Sequence, residues 1–147
     1  MYAFRQATDN DYDFLFALHR TTMREYIEPI WGWHEDWQEE YFRKKFDPRK
    51  RQIIVVNGED AGVLVVEERL NEIYIGLIEL LPKFQGSGVG TAILNDLKNK
   101  AARQNAHLSL HVLNTNIKAR RLYERFGFRA IYEESNRILM TYIPELE

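Results

Sequence analysis

The sequence of 147 residues contains no cysteine. Disulfides, a cysteine nucleophile and thiolate metal ligands are therefore excluded, and the composition is compatible with a reducing compartment. An excess of positive charge is also lacking, because 20 Lys and Arg residues stand against 22 Asp and Glu residues and leave a formal net charge of −2. Nucleic-acid-binding proteins usually present a basic surface, so we expect no nucleic-acid partner.

Long apolar runs are likewise missing. No segment approaches the roughly 18 consecutive apolar residues that a membrane-spanning helix needs. The first residues also lack the basic segment and apolar stretch of a signal peptide. We therefore expect no membrane partner and a cytoplasmic location. The histidines include only one pair at i,i+4 spacing, which lies on a predicted strand, so no metal site is expected.

The N-terminal third of the sequence predicts one strand and two helices. Residues 2–6 form the strand, and Thr8 or Asp9 caps a helix with apolar side chains at helical spacing. Pro29 is expected to stop or kink this helix. The second helix is expected over residues 34–46. Three aromatic residues are expected to share one of its faces: Trp37, Tyr41 and Phe42.

The rest of the sequence changes to a period of two and then alternates strands with helices. The first strands are joined by short links and must be antiparallel. The predicted elements, in chain order, are strands over 52–57, 61–70 and 72–81, a helix after residue 88, a strand over 107–113, a helix over 116–126, and hairpin strands over 128–133 and 137–143. The predicted fold is an α+β sheet with one or two crossover helices, in a single domain over residues 1–147.

A glycine-rich loop lies between a predicted strand and a predicted helix. Gly86, Gly88 and Gly90 leave little side-chain bulk, so backbone N–H groups can converge on an anion at the positive end of the helix dipole. One glycine would suffice for a tight turn, so three at alternate positions favour a phosphate or pyrophosphate ligand. The P-loop pattern fails, because Thr91 follows Gly86 by five positions, and the dinucleotide fingerprint lacks its third glycine in either register.

Two stretches of the sequence resemble one known family. The segment from Gln85 to Gly90 matches the Gln/Arg-x-x-Gly-x-Gly/Ala motif of the GNAT (GCN5-related N-acetyltransferase) superfamily. The stretch from Leu110 to Phe128 is similar to that family's C-terminal motif, and about one helix and one strand separate the two, as in the family. The resemblance is strong over residues 72–143, and it rests on element order over residues 1–70.

The resemblance implies an α/β/α sandwich, with a mixed, mostly antiparallel sheet of about seven strands and about four helices. It implies a variable acceptor-side region over residues 1–50, an acetyl-coenzyme A-binding core over 72–128 and a C-terminal hairpin over 129–143. Acetyl-coenzyme A is the implied cofactor. The residues implied to bind it are Leu80, Leu81, Gln85, Gly86, Ser87, Gly88, Val89, Gly90, Thr91, Asn116, Ala119, Tyr123 and Arg125.

The resemblance also implies individual roles. The N–H groups of the glycine loop hold the pyrophosphate, and the strand end at Leu80 and Leu81 offers an N–H to the thioester oxygen. Asn116 contacts the pantetheine arm or the substrate, and Arg125 approaches the adenosine 3′-phosphate. Tyr123 occupies the position of the general acid, and a phenol can protonate a leaving thiolate. The alternative is that Tyr123 only packs within its helix.

The general base is left open between two residues. Glu79, one residue before the acetyl-contacting position, can activate the amine directly or through water, or it is only a solvated strand residue. His111, in mid-strand, is chemically eligible because histidine titrates near neutral pH. The alternative for His111 is a packed, hydrogen-bonded histidine. A water chain without any base is a further alternative.

The predicted function is transfer of acetyl from acetyl-coenzyme A to a primary amine, by direct attack in a ternary complex. The acceptor is expected to be a small cationic amine, bound by Tyr26, Trp31, Glu35 and Asn116, because ring faces and carboxylates attract cations. The alternative is that the tryptophans fill core and the acids cap a helix. Three other functions stay open: acetylation of protein N-termini or lysines, a non-catalytic coenzyme A-binding regulatory module, and a structural domain with no ligand.

Two surface features complete the expectations. The basic run from Arg49 to Arg51 is interpreted as a solvated loop. The closing hairpin, with Tyr132, Ile138 and Met140 expected to be exposed, is an edge at which a homodimer could form.

Overall fold

The computed structural model describes residues 1–145 and contains one sheet of seven strands, in the order β1-β2-β3-β4-β5-β7-β6. The strands are β1 (Tyr2–Gln6), β2 (Gln52–Val56), β3 (Glu59–Arg69), β4 (Glu72–Leu80), β5 (His107–Leu113), β6 (Arg129–Glu134) and β7 (Arg137–Tyr142). Four α-helices lie in the described residues: α1 (Tyr12–Trp31), α2 (Glu35–Lys45), α3 (Val89–Arg103) and α4 (Ile117–Arg125). The predicted α+β fold, with a mixed, mostly antiparallel sheet, is confirmed.

The chain divides into two compact units. Unit 1 comprises Met1–Val65 and Leu77–Gly90, and unit 2 comprises Val66–Gly76 and the described residues from Thr91 onward. The division falls within β4, whose first five residues belong to unit 2 and whose last four belong to unit 1. A single domain over residues 1–147 stays a prediction.

The sheet of unit 1 is antiparallel. β1 pairs with β2 from Tyr2↔Val56 to Gln6↔Gln52. β2 pairs with β3, with a register shift between Ile54 and Val55. Asn57 and Gly58 join β2 to β3 with φ angles of 51° and 80°. Two successive left-handed residues are the signature of the hairpin turn that suits strand twist.

The first helix begins and ends at clear sequence signals. Thr8 and Asp11 form a reciprocal capping box around a short 3₁₀ turn that leads into α1. The expectation that Pro29 stops this helix is wrong, because α1 continues through it to Trp31, and a kink at Pro29 stays a prediction. Pro29 sits in the last turn, where its fixed φ is helical and only one backbone bond is lost. Gly32, with φ 73°, ends the helix.

The core of unit 1 gathers apolar side chains from β2, β3, α1 and α2, together with Ala7 just after β1. Its buried members are Ala7, Leu15, Phe16, Leu18, Phe42, Ile53 and Val63. The expectation that Trp37, Tyr41 and Phe42 share one face is wrong. The buried stripe of α2 holds Gln38 and Phe42, whereas Trp37 and Tyr41 are 58% and 50% exposed and stack on each other, with ring centroids 5.1 Å apart.

Unit 2 combines parallel and antiparallel strand pairs. The first half of β4 is parallel to β5, from Glu72↔His107 to Ile75↔Leu110. β5 is antiparallel to β7, which is antiparallel to β6. A parallel pair needs a crossover, and α3 is the helix between β4 and β5 in the chain. The buried apolar residues of this unit include Ile73, Ile75, Ile93, Leu94, Leu108, Leu110, Val112, Ile138 and Met140.

The closing hairpin has one buried strand and one exposed strand. Tyr132 is exposed, as expected, and every residue of β6 is exposed. The expectation for Ile138 and Met140 is wrong, because they are 3% and 0% exposed. β7 lies between β5 and β6 in the sheet, so its side chains pack into the core.

None of the helices in residues 1–145 has the length and apolar character that a membrane span requires.

Candidate active site

The glycine loop of unit 1 adopts a conformation that glycine alone adopts readily. Gly86 and Gly88 have φ angles of 74° and 89°. Nothing lies within 4 Å of a Cβ built on either residue, so backbone conformation, not crowding, accounts for glycine here. In the described part of the chain, the N–H groups of Gly86, Ser87 and Gly88 make no backbone hydrogen bond outside regular elements. They are therefore free to bind an anion at the start of α3.

Two side chains brace this loop from within. The Gln85 side-chain amide donates to the carbonyl of Leu80 over 2.8 Å, and the Ser87 hydroxyl donates to the carbonyl of Phe84 over 2.6 Å. Phe84 is buried and closes a 3₁₀ turn that begins at Pro82. These two side-chain bonds to backbone carbonyls therefore hold the loop in its conformation and, among the described residues, leave the N–H groups of residues 86–88 unused.

The end of β4 presents one backbone N–H away from β3. The N–H of Leu81 donates to the carbonyl of Ala61 on β3, over 2.9 Å. Successive N–H groups of a strand point to opposite edges, so the N–H of Leu80 points to the other side. Of the two donors expected from the sequence, Leu81 is therefore committed to the sheet, and Leu80 is the one that can meet a ligand.

Glu79 is a buried carboxylate on the α1 side of β4. Its side chain is 3% exposed, so the interpretation of a solvated strand residue is wrong. His19 of α1 lies next to it, with Nδ1 3.4 Å from Glu79 Oε2, and the His19 side chain is 22% exposed. The imidazole ring lies 6.1 Å from the Trp33 ring and 5.7 Å from the Phe42 ring, measured between centroids.

Arg51 adds a positive charge to this cluster. Its guanidinium lies 5.2 Å from the Phe42 ring centroid and 5.9 Å from that of Phe46. Burial lowers the pKa of Arg51, and attraction to Glu79 and Asp47 opposes that shift. Arg49 and Lys50 are exposed, as expected for the basic run, but Arg51 departs from that interpretation.

Glu35, one of the expected acceptor residues, already has partners in unit 1. Glu35 accepts a hydrogen bond from the indole N–H of Trp33 over 2.6 Å and forms an ion pair with Arg20. The Trp33 bond, followed by Arg20, lowers the pKa of Glu35. Trp31 is 55% exposed at the end of α1. Burial, followed by the charge of Glu25, raises the pKa of Tyr26. The carboxylate expected to attract a cation is thus already paired with one.

The C-terminal motif of unit 2 forms α4. Asn116 caps this helix, with its side-chain oxygen accepting from the N–H of Ala119 over 3.1 Å. The Tyr123 ring meets the Phe128 ring edge to face, 5.6 Å between centroids. Burial raises the pKa of Tyr123 to about 12, so the phenol stays protonated at neutral pH. Arg125 is exposed in the last turn.

His111 is engaged within unit 2. Its Nδ1 is hydrogen-bonded to the hydroxyl of Tyr74, and the two rings meet edge to face with centroids 5.6 Å apart. Burial, followed by the charge of Arg137, lowers the pKa of His111. This is the packed, hydrogen-bonded alternative that the sequence left open. Among residues 1–145, no group of three His, Cys, Asp or Glu residues is arranged to hold a metal ion.

Sequence reasoning missed His19 and Arg51. His19 follows the buried Leu15 by four residues, so helical spacing places it on the inner side of α1, and this was a usable signal. The contact between His19 and Glu79 joins residues 60 positions apart, so no local sequence pattern predicts it. Arg51 was missed because the other residues of the basic run, Arg49 and Lys50, are exposed, and nothing in the sequence distinguishes Arg51 from them.

Comparison with known proteins gives the family. A model described as the acetyltransferase (GNAT) family matches residues 13–128. The chain belongs to this acetyltransferase family. The matched span of this GNAT chain begins in α1 and includes His19, Glu79, the glycine loop and Tyr123. Comparison with curated protein sequences gives no match.

Solved structures share the GNAT fold over nearly the whole chain. The PaiA N-acetyltransferase of Thermoplasma acidophilum, in complex with coenzyme A, has a TM-score of 0.78 at 14% identity, over 98% of this chain and 99% of that one. The ribosomal-protein-S18-alanine N-acetyltransferase of Escherichia coli has a TM-score of 0.67 at 19% identity, over 100% and 96%. Arabidopsis thaliana Naa50, in complex with the bisubstrate analogue CoA-Ac-MVNAL, has a TM-score of 0.63 at 17% identity, over 95% and 97%.

Proposed function

We propose that this chain transfers an acetyl group from acetyl-coenzyme A to a primary amine, by direct attack of the amine while both substrates are bound. The observation that carries the proposal is the glycine loop. Two left-handed glycines leave three backbone N–H groups free at the start of a 15-residue helix, in a chain of an acetyltransferase family.

The loop suits a pyrophosphate. Its free N–H groups and the positive end of α3 attract negative charge without any cationic side chain. Acetyl-coenzyme A supplies, when bound, an acetyl group activated as a thioester. The N–H of Leu80 is the proposed donor to the acetyl oxygen, where charge develops during attack. Thr91, Asn116, Ala119 and Arg125 remain proposed cofactor contacts on the strength of the family motif.

Two protons must move in this reaction. Tyr123 is the proposed donor to the departing thiolate. Its pKa of about 12 keeps the proton on the phenol at neutral pH, although it lowers the driving force for donation. His111 is not proposed as the base, because burial, followed by the charge of Arg137, lowers its pKa and makes it a weaker base. Glu79 lies on β4 one residue before Leu80, and it is the carboxylate proposed to take part in activating the amine.

The acceptor is proposed only as a primary amine. A small cationic amine was expected from Glu35 and its aromatic neighbours, but Arg20 already neutralises Glu35. This ion pair weakens the case that Glu35 and the aromatic residues near it bind a cationic acceptor. The N-termini of peptides and lysine side chains stand beside small amines as acceptors.

Calorimetric titration with acetyl-coenzyme A tests the cofactor. We expect wild-type protein to bind and Gly88→Trp to lose binding, because the indole would fill the loop. Gly58→Trp is the matched control. Gly58 is also left-handed, with φ 80°, and nothing lies within 4 Å of a Cβ built there, but it lies in the β2–β3 turn. Failure of the wild-type protein to bind acetyl-coenzyme A would overturn the proposal.

Release of free thiol tests the transfer. Acetyl-coenzyme A is offered together with spermidine, an alanine-initiated tripeptide or a lysine blocked at its α-amine, as three classes of primary amine. Release with one of them supports the enzyme. Binding of acetyl-coenzyme A with no release for any of them would favour the non-catalytic module.

A further inference from the structure

We propose that His19 is the residue that accepts the proton of the attacking amine, and that Glu79 is a buried positioning residue that holds the His19 ring. This inference rests on the proposed function and deepens it, because it names a catalytic residue on α1 that the glycine motif and the C-terminal motif do not contain.

The first step of the argument is the place of Glu79. Leu77, Glu79 and Leu81 alternate along β4 and therefore share one side of the strand. Leu77 and Leu81 pack against the core of unit 1. An ionised carboxylate in such surroundings is costly unless a hydrogen bond or an opposite charge compensates it, and an apolar residue would complete this side. Core packing therefore gives no reason for a glutamate at position 79.

The second step is the identity of the groups that compensate the carboxylate. His19 Nδ1 lies 3.4 Å from Glu79 Oε2, slightly longer than the usual range of about 2.7–3.2 Å for an N–H···O hydrogen bond. Arg51 attracts Glu79 electrostatically. The other charged groups near His19 on the surrounding elements are Arg20 of α1 and Glu35 of α2, which pair with each other. Glu79 is thus the charged group outside α1 that His19 contacts, and Arg51 attracts that same carboxylate.

The third step is access to substrate. The Glu79 side chain is 3% exposed and the His19 side chain is 22% exposed. A group that removes a proton from an incoming amine must reach that amine, directly or through one water. His19 can do so where Glu79 cannot. Glu79 therefore acts through His19, as the residue that positions its ring.

The fourth step is the state of the ring. With the proton on Nδ1, the ring donates to Glu79 and leaves the Nε2 lone pair to accept a proton. In the part of the chain that the structure describes, no hydrogen bond uses His19 Nε2. The rings of Trp33 and Phe42 flank the imidazole and limit its rotation.

The reaction balances with these groups. The amine nitrogen forms a bond to the acetyl carbon, and the bond from that carbon to sulfur breaks. The amine proton passes to His19 Nε2, and the thiolate takes up a proton from water or from Tyr123, which then regains one from solvent. His19 then returns its proton to solvent, with no oxidant or reductant involved.

The kinetic test compares wild-type protein with His19→Gln, Glu79→Gln and the double variant. The substrates are acetyl-coenzyme A and whichever of the three amines gives the highest kcat/KM. We expect His19→Gln to lower kcat/KM at least 100-fold, within the range of about 10²–10⁴ for general-base catalysis. The acid limb of the pH profile should disappear, while the Kd for acetyl-coenzyme A stays unchanged. The double variant should lose little more than the worse single variant.

The Glu79 variant also separates a catalytic pair from a merely structural one. Glu79→Gln keeps the shape of residue 79 but weakens the contact that orients the His19 ring, so kcat should fall while the Kd for acetyl-coenzyme A stays unchanged. His107→Gln is the matched control, because His107 is an exposed histidine at the start of β5, and its profile should equal that of wild type. Circular dichroism checks that each variant is folded.

A second readout needs no turnover. Nuclear magnetic resonance of the ring nitrogens of ligand-free protein should show His19 with its proton on Nδ1, and Glu79→Gln should weaken that preference. The opposite tautomer, with the proton on Nε2, would overturn the inference.

The outcomes distinguish this inference from the proposed function. A His19→Gln protein with kcat/KM within threefold of wild type and the same acid limb overturns the role of His19 and leaves acetyl transfer standing. Failure of wild-type protein to bind acetyl-coenzyme A overturns both. That failure appears in a titration that involves no His19 variant.

Discussion

Gly62 on β3 controls how closely the strand that carries Glu79 and Leu80 is held. A Cβ built on Gly62 lies 2.0 Å from the backbone oxygen of Glu79, whereas ordinary van der Waals contact begins at 3.4 Å. A methyl group therefore requires a local separation of about 1.4 Å, the difference between these two distances. The neighbouring bond from Leu81 N–H to Ala61 O, now 2.9 Å, would then leave the hydrogen-bonding range.

We expect Gly62→Ala to lower the free energy of unfolding by about 3 kcal/mol, because overpacking costs about 1–3 kcal/mol and a lost hydrogen bond about 1 kcal/mol more. At about 2–4 °C per kcal/mol for a chain of this size, the melting temperature should fall by about 6–12 °C. Thermal unfolding followed by circular dichroism gives the value. Because the obstacle is a backbone atom, side-chain rotation cannot relieve it.

Gly90→Ala is the matched control for this experiment. Its Cβ would meet Leu80 Cδ1 at 3.6 Å, an ordinary contact, and alanine suits a helix better than glycine. Its melting temperature should stay within about 2 °C of wild type or rise. A Gly62→Ala protein that also melts within about 2 °C of wild type would refute the argument, since β3 and β4 would then separate at almost no cost.

Two further predictions concern ionisable groups. Hydrogen bonds from Arg5 hold the pKa of Asp11 below its ordinary value, so this pair stabilises the folded state above about pH 4 and the stabilisation is lost as pH falls further. Arg5→Met should flatten the dependence of unfolding free energy on pH below 4, and a dependence equal to wild type in acid denaturation would contradict the assignment. Burial raises the pKa of Tyr123 to about 12, so the ultraviolet difference titration between wild type and Tyr123→Phe should show that phenol ionising above about pH 11. A step near pH 10 would mean that the ring is solvated.

Local signals predicted most of the secondary structure. The strand at residues 2–6 and the cap at Thr8 are encoded in a few adjacent residues, and so is the hairpin turn at Asn57 and Gly58. The failure at Pro29 has the same origin. Proline breaks a helix in its interior, but in the last turn it costs little, and the distance to the helix end was decided by Gly32.

The sequence misjudged which side chains face the core at positions where contacts with other segments decide it. Trp37 and Tyr41 are large and aromatic like Phe42, which favours placing all three on one face, but the stripe of α2 that is buried runs through Gln38 and Phe42. In the same way, Ile138 and Met140 lie on a strand that is internal to the sheet, with β6 outside it. Strand order is a property of pairing between distant segments, which composition does not report.

The sequence by itself determined the order of the elements, the glycine loop and the family, because each is written in residues that are close along the chain. Only the tertiary structure decided which groups of the candidate site are available. It committed the N–H of Leu81 to β3, paired Glu35 with Arg20 and placed His19 against a glutamate 60 residues away. The physical reason is that hydrogen bonds, ion pairs and burial depend on which segments meet in space. Packing and strand register decide which segments meet, and the residues adjacent in sequence do not indicate the outcome.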